Sequence, residues 1–288
     1  MSGGWTGPLV IGGVGGSGTR VVAEMARRLG VSLGEDRNRS ADTLAATLLL
    51  RRSAWYDEQV REGGAGFVTA FEILEGALRG RLEVTAAIRD FLAGAEADLA
   101  GDGPGPAWAA ERVARLVGSG TSGPEPERWG WKEPNSHLYL EALHRHFGDR
   151  LRYVHVLRNG LDMAFSDNQW QVRTWGRLFG IEAGATVSPN ASLDYWIRAN
   201  RRAVDLGEAL PAGTFLRLDV DALCADPVAG VDRLVGFLGL EPEPEVQAEL
   251  VAMPERPAST GRWRRAGGVA FTDRQLAEVA ALGFPVDR

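Results

Sequence analysis

The 288-residue chain contains a single cysteine, Cys224. That excludes an internal disulfide and a cysteine-cluster metal site. In Asp219-Val220-Asp221-Ala222-Leu223-Cys224 the thiol reads as a small buried or half-buried residue, because no histidine motif accompanies it. Histidines are also few, four in all. His144 and His146 stand two apart on one predicted helix, face different directions and cannot share a metal. His155 falls inside a core strand, so no metal is expected. Long apolar runs are missing, and none approaches the length of a membrane span. Residues 1–8 lack the basic start of a signal peptide. The expectation is a cytoplasmic chain without an integral membrane segment. A surplus of positive charge is missing too. The formal net charge of -6 argues against a general nucleic-acid footprint, so any basic groups that matter must be local. There is no internal repeat.

What is present is apolar bulk, 44% of the chain, enough to bury one large core. The expected organisation is one domain over residues 1–288. Residues 8–12 read as a buried strand. A glycine-rich turn follows, then a helix over 21–29 stopped by Gly30. Between 35 and 126 helical segments dominate (41–52, 67–78, 84–99, 108–117), joined by glycine- and proline-rich connectors. This stretch is expected to be a helical insertion that covers a site, not a separate domain. Strands then resume at 129–132, 151–157 and 214–218, separated by helices over 136–147, 161–172 and 193–210. Strands alternating with helices imply an α/β fold: a parallel sheet with helices on both faces and ligands at the carboxyl ends of the strands.

The turn after the first strand is Gly12-Gly13-Val14-Gly15-Gly16-Ser17-Gly18-Thr19-Arg20. Its glycines let backbone N–H groups approach an anion, and the following helix start adds partial positive charge. Three ligands satisfy that physics. Gly13-x-Gly15-x-x-Gly18 fits a dinucleotide fingerprint, with Glu35 at a tolerable distance for a ribose. Gly13-x4-Gly18 fits the start of a Walker A loop, but Thr19 stands where lysine is required. Ser17-Gly18-Thr19 resembles the 5′-phosphosulfate loop of sulfotransferases.

A second segment separates these readings. Arg158-Asn159-Gly160-Leu161-Asp162-Met163-Ala164-Phe165-Ser166 follows directly on the strand over 151–157. Arg158 offers a planar fork of donors suited to phosphate, and the hydroxyl of Ser166, expected a turn or two into a helix, can converge on the same anion. Together with the loop, this segment resembles the sulfotransferases that use 3′-phosphoadenosine-5′-phosphosulfate (PAPS), with loop motifs similar to the heparan and tyrosyl-protein types. Trp131-Lys132-Glu133-Pro134 is similar to their Lys-x-Pro, and Gly261-Arg262-Trp263 to the late basic loop of bacterial members. The resemblance covers most of the chain, in the family order, outside 35–126.

The resemblance implies a P-loop-like three-layer fold and sulfuryl transfer from PAPS to a hydroxyl of a small molecule, lipid or glycan, with PAP as product. It implies that Gly15, Gly16, Ser17, Gly18, Thr19 and Arg20 hold the 5′-phosphosulfate. Arg158 and Ser166 would hold the 3′-phosphate, and Gly261, Arg262 and Trp263 would cover the nucleotide. Lys132 would assist the leaving oxygen. One position departs: Gly16 stands where cytosolic and tyrosyl-protein members carry a basic residue, so Arg20 or Lys132 must take over that charge. By the same resemblance the base falls in the stretch after the first helix, Asp36 first and Glu35 second, with His137 as rival. A small-molecule kinase on the same fold, a Rossmann oxidoreductase and a non-catalytic nucleotide-binding module are the alternative functions. Nine tryptophans, among them Trp55, Trp170, Trp175 and Trp196, are either acceptor walls or core.

Overall fold

Residues 9–12, Leu-Val-Ile-Gly, are buried throughout, as a strand covered on both faces must be. They form β1 (Leu9–Gly12) in a computed structural model that describes residues 5–101, 105–118, 124–182, 184, 186–266 and 271–287. The other strands are β2 (Val31–Ser32), β3 (Arg128–Lys132), β4 (Arg152–Leu157) and β5 (Phe215–Asp219). They run parallel in the order β2-β3-β1-β4-β5. β1 therefore lies between β3 and β4, and all its pairing comes from strands far away in sequence. In the dinucleotide fold the strand after the first helix belongs beside β1. Here that strand, β2, pairs with β3 instead, and the topology does not match the Rossmann alternative.

Side chains alternate across the sheet. Val10, Trp129, Trp131, Tyr153 and Leu157 enter one core, and Leu9, Ile11, Val154, Val156, Leu216 and Leu218 enter the other. Helices cover both. On the second face lies α1 (Thr19–Arg28), which starts two residues earlier than expected because Gly18 in left-handed geometry precedes it. Five helices then occupy the segment between β2 and β3: α2 (Leu44–Leu50), α3 (Ser53–Glu62), α4 (Ala65–Leu78), α5 (Ala86–Gly101) and α6 (Pro106–Gly118). β3 leads through a 3-10 turn, Pro134–Tyr139, into α7 (Leu140–Phe147). Trp129 and Trp131 are fully buried 6.2 Å apart, and the Trp131 indole N–H donates to Ser136 Oγ at 3.1 Å. Each such ring removes about 150–250 Å² from water, which anchors this face by several kcal/mol.

The helix expected over 161–172 is two short ones, α8 (Gly160–Met163) and α9 (Trp170–Trp175). Ser166-Asp167-Asn168-Gln169 breaks it, because these side chains satisfy the backbone locally. Ser166 Oγ accepts from Asn168 N–H, Asn168 Oδ1 from Trp170 N–H, and Gln169 Nε2 donates to the Ser166 carbonyl. Ser166 thus sits in the turn rather than inside a helix. The long α10 (Pro189–Glu208) starts at Ser188, whose hydroxyl accepts from Ala191 N–H. The chain ends with α11 (Val220–Ala225), α12 (Pro227–Leu238), α13 (Pro244–Ala252), α14 (Arg262–Arg265) and α15 (Asp273–Ala281). Cys224 is half-buried on α11. Among the described residues no helix is long and apolar enough to cross a membrane.

Candidate active site

The glycine loop leaves the carboxyl end of β1 and enters α1. Two of its glycines are obligatory. A Cβ on Gly13, at φ 152°, would lie 2.4 Å from the Val156 carbonyl oxygen, and Gly18 adopts φ 94° as the cap of α1. Gly18 has no side chain to cap the helix and the first turn carries no acid, so the amides there stay available to an anion. Ser17 Oγ is buried and unpartnered. A buried hydroxyl without a partner costs about 1–3 kcal/mol, which an anion at the loop would offset. Thr19 is buried beside it, while Gly16 and Arg20 are exposed. The Gly15 N–H donates to Gln171 Oε1 at 2.5 Å.

β4 ends one strand over. Arg158, itself buried, donates from Nη2 to Ser259 Oγ at 2.8 Å. Asp162 draws the C-terminal loop onto this corner: Oδ2 accepts from Gly261 N–H at 2.8 Å and Oδ1 from Trp263 N–H at 3.2 Å. Arg262 Nη1 donates to the Phe165 carbonyl at 2.7 Å, and the Trp263 ring is buried. The segments over 158–166 and 259–263 therefore form one structure.

Beside the glycine loop opens a cavity of about 490 Å³, whereas Asp162 and Gly261 line a separate one of about 260 Å³. Gly15 and Ser166 line the larger one on the loop side, and Trp108, Trp170, Tyr195 and Trp196 supply aromatic wall. The Arg51 guanidinium stacks on Trp170, 3.4 Å from the ring centroid. Trp55 and Trp175 belong to the core. Three acid and amide groups, Asp42, Glu133 and Asn135, lie at the carboxyl end of β3.

Lys132 closes β3 and is buried. Its Nζ donates to the Ser40 carbonyl at 3.0 Å and pairs with Asp42 Oδ1. It is the only lysine in the sequence; all other basic residues of the Lys/Arg type are arginine. A tight loop delivers Asp42. Arg37 bridges Thr43, Asn38 Oδ1 accepts from Ser40 and Asp42 N–H, and Ala41 takes left-handed geometry at φ 61°. Thr43 N–H then donates to the Lys132 carbonyl at 2.8 Å, which fixes the loop to the strand end. Glu133 follows in extended conformation and is 3% exposed. Burial, with the Asp42 charge adding to it, pushes its carboxyl up to about 7.

Asp36 and Glu35 lie elsewhere. Both line a third cavity of about 660 Å³ beside α6. Asp36 is gripped by Arg112 Nη1 at 2.6 and 2.8 Å, with Arg115 at 3.7 Å; Glu35 is exposed. His137 is fully buried against His155 and does not line any of these cavities. The sequence reading missed Asp42 and Glu133. Glu133 stood inside the motif that singled out Lys132, but nothing local shows that it is buried with a free oxygen. Asp42 becomes visible only when the loop over 37–43 folds onto β3.

The sequence profile of the sulfotransferase family matches residues 8–244. The chain belongs to that family, and so to the transferases. No curated protein sequence matches it. Among solved structures it is similar to a sulfotransferase domain from the curacin biosynthetic pathway, at 12% identity and TM-score 0.53, over 99% of this chain and 100% of that one. It is also similar to sulfotransferase STF9 from Mycobacterium avium, at 16% identity and TM-score 0.50, over 96% and 76%. At these identities the likeness concerns the fold: a five-stranded parallel sheet between helices.

Proposed function

We propose that the chain moves a sulfuryl group from PAPS to a hydroxyl of a small-molecule, lipid or glycan acceptor. The observation that carries this is that the anion loop, whose Ser17 hydroxyl is buried and unsatisfied, reaches one cavity through Gly15, and the strand end that bears Lys132 reaches the same cavity through Glu133 and through Asp42, the partner of Lys132. The residues fit a sulfonucleotide better than ATP. Thr19 replaces the lysine that a Walker loop needs.

In this reading Gly15 to Arg20 hold the 5′-phosphosulfate through backbone amides, and Gln171 yields Gly15 N–H to it. Arg158 and Ser166 serve the 3′-phosphate. Gly261, Arg262 and Trp263, held by Asp162, cover the nucleotide. Lys132 neutralises charge that develops on the bridging oxygen, while Asp42 keeps its ammonium in place until then. The segment over 35–126 covers the acceptor side, contributing Asn38, Asp42, Arg51 and Trp108 to the cavity. The Asp36 carboxylate is held by Arg112 in the neighbouring cavity, where it supports α6.

Labelled PAPS, incubated with a fractionated extract of the source organism, tests the reaction: label should pass to an acceptor. Lys132→Ala should lower that turnover by about 10²-fold or more, as removal of one transition-state donor does, with PAP affinity little changed. Lys132→Arg should not restore it, since a planar fork cannot replace a compact ammonium here. Normal turnover in Lys132→Ala would leave Lys132 as a strand-edge charge only.

A further inference from the structure

A chain of side-chain hydrogen bonds runs from the glycine loop to a carboxylate. Gly15 N–H donates to Gln171 Oε1, Gln171 Nε2 to Asn135 Oδ1 at 2.7 Å, and Asn135 Nδ2 to Glu133 Oε1 at 2.8 Å. The other oxygen, Glu133 Oε2, is buried and has no partner. Glu133 is a wall of the cavity beside the glycine loop. One carboxylate oxygen is therefore held in place and the other is left for whatever enters.

The other acids near the loop lack this freedom. Asp42 has both oxygens engaged, Oδ1 by Lys132 and Oδ2 by Asn38 Nδ2 at 2.7 Å. Asp36 faces the third cavity against Arg112. Glu133 also follows Lys132 in an extended backbone, at φ -149° and ψ 117°, so the two side chains leave on opposite sides. An in-line displacement needs the same arrangement: charge relief on the leaving side and proton removal on the entering side.

We propose that Glu133 is the catalytic base that takes the acceptor's hydroxyl proton onto Oε2, with Asn135 and Gln171 as positioning residues. The inference rests on the sulfuryl-transfer reading above. The acceptor oxygen forms a bond to sulfur, and the bond from sulfur to the 5′-phosphate oxygen breaks with its electron pair going to that oxygen. The acceptor proton passes to Glu133. The charged groups facing Glu133 are Asp42, which raises its proton affinity, and Lys132 and Arg51, which lower it; the neutral phenols of Tyr139, Tyr153 and Tyr195 surround it. With the carboxyl at about 7, the base form is populated above neutrality and the acid form below it.

The probe is PAPS with water as the acceptor hydroxyl, read as PAP release, alongside PAP binding by calorimetry. Glu133→Gln is nearly isosteric, and thermal unfolding checks its fold. It should lower PAP release by about 10²–10⁴-fold and leave PAP affinity within about threefold. In the parent the rate should rise with pH through a limb near 7 that the variant lacks. Infrared titration of the parent should show a carboxylic-acid band that disappears near pH 7 and is absent from Glu133→Gln, whatever the turnover. Equal PAP release by parent and variant, with the same pH limb, would overturn the assignment. So would a carboxylic-acid band that persists unchanged in the variant. If neither protein binds PAP, the donor reading has failed instead, and the infrared band still reports on Glu133.

Discussion

His137 and His155 face one another with ring centroids 6.3 Å apart, both fully buried, and their burial has a cost that depends on pH. His155 Nε2 is paired with Asn200 Oδ1 at 2.9 Å, and both nitrogens of His137 are unpartnered. Burial holds His155 down to about 4 and His137 well below the usual imidazole range; nearby Arg217 acts in the same direction on His155, and His155 and Arg202 on His137. The unfolded chain binds these protons at about 6.5 and the folded one resists them. Stability is thus complete above pH 6.5 and falls as pH drops below it, by about 1.4 kcal/mol per histidine per pH unit. Glu133 acts the other way. Its folded proton affinity is raised, so acidification from 7 toward 4.5 favours the fold. We expect urea midpoints to fall between pH 6.5 and 4.5, and to fall more steeply in Glu133→Gln, where the opposing group is gone. A flat profile over that window would mean that the two rings accept protons without unfolding.

At the scale of elements, Asp162 is the clasp between the turn after β4 and the C-terminal loop. Both of its oxygens accept backbone N–H groups from that loop. Hydrogen bonds to a charged acceptor contribute about 1.5–3 kcal/mol. Asp162→Ala should free residues 259–263, seen as faster amide exchange there, and should weaken PAP binding about tenfold with β1 and α1 unchanged. Undiminished protection of Gly261 and Trp263 amides would contradict this role. The elements themselves differ in how far the sequence exposes them. β1, β3, β4 and β5 each begin or run as apolar segments, and periodicity finds them within a residue or so. β2 is two residues long, too short for any period, yet its pairing with β3 separates this topology from the dinucleotide fold. α3 buries only Trp55, Tyr56 and Gln59 and carries little amphipathic pattern, so tertiary packing rather than sequence marks it. The break between α8 and α9 depends on side chains bonding their own backbone, which apolar spacing does not register.

Across the whole molecule the proposed site is drawn from the ends of three neighbouring strands. β1 brings the glycine loop, β3 brings Lys132 and Glu133, and β4 brings Arg158 with the clasp that holds the late loop. Each motif is local and was readable as such: the glycines, the Lys-x-Pro, and the arginine after an apolar strand. What joins them is long-range. Asp42 reaches Lys132 across 90 residues and Gln171 reaches Gly15 across 156, and no spacing rule encodes either contact. The same distance explains why Asp36 drew attention first, since nothing in the sequence reveals its grip by Arg112 from α6. The central claim is that this assembly recognises a nucleotide by its 3′-phosphate. Isothermal titration of the purified chain with PAP and with ADP tests it most directly. PAP should bind at least about tenfold more tightly, because one charge-assisted anion contact contributes about 1.5–3 kcal/mol, and Arg158→Ala should erase most of the difference. Equal affinities for PAP and ADP in the parent protein would contradict the account.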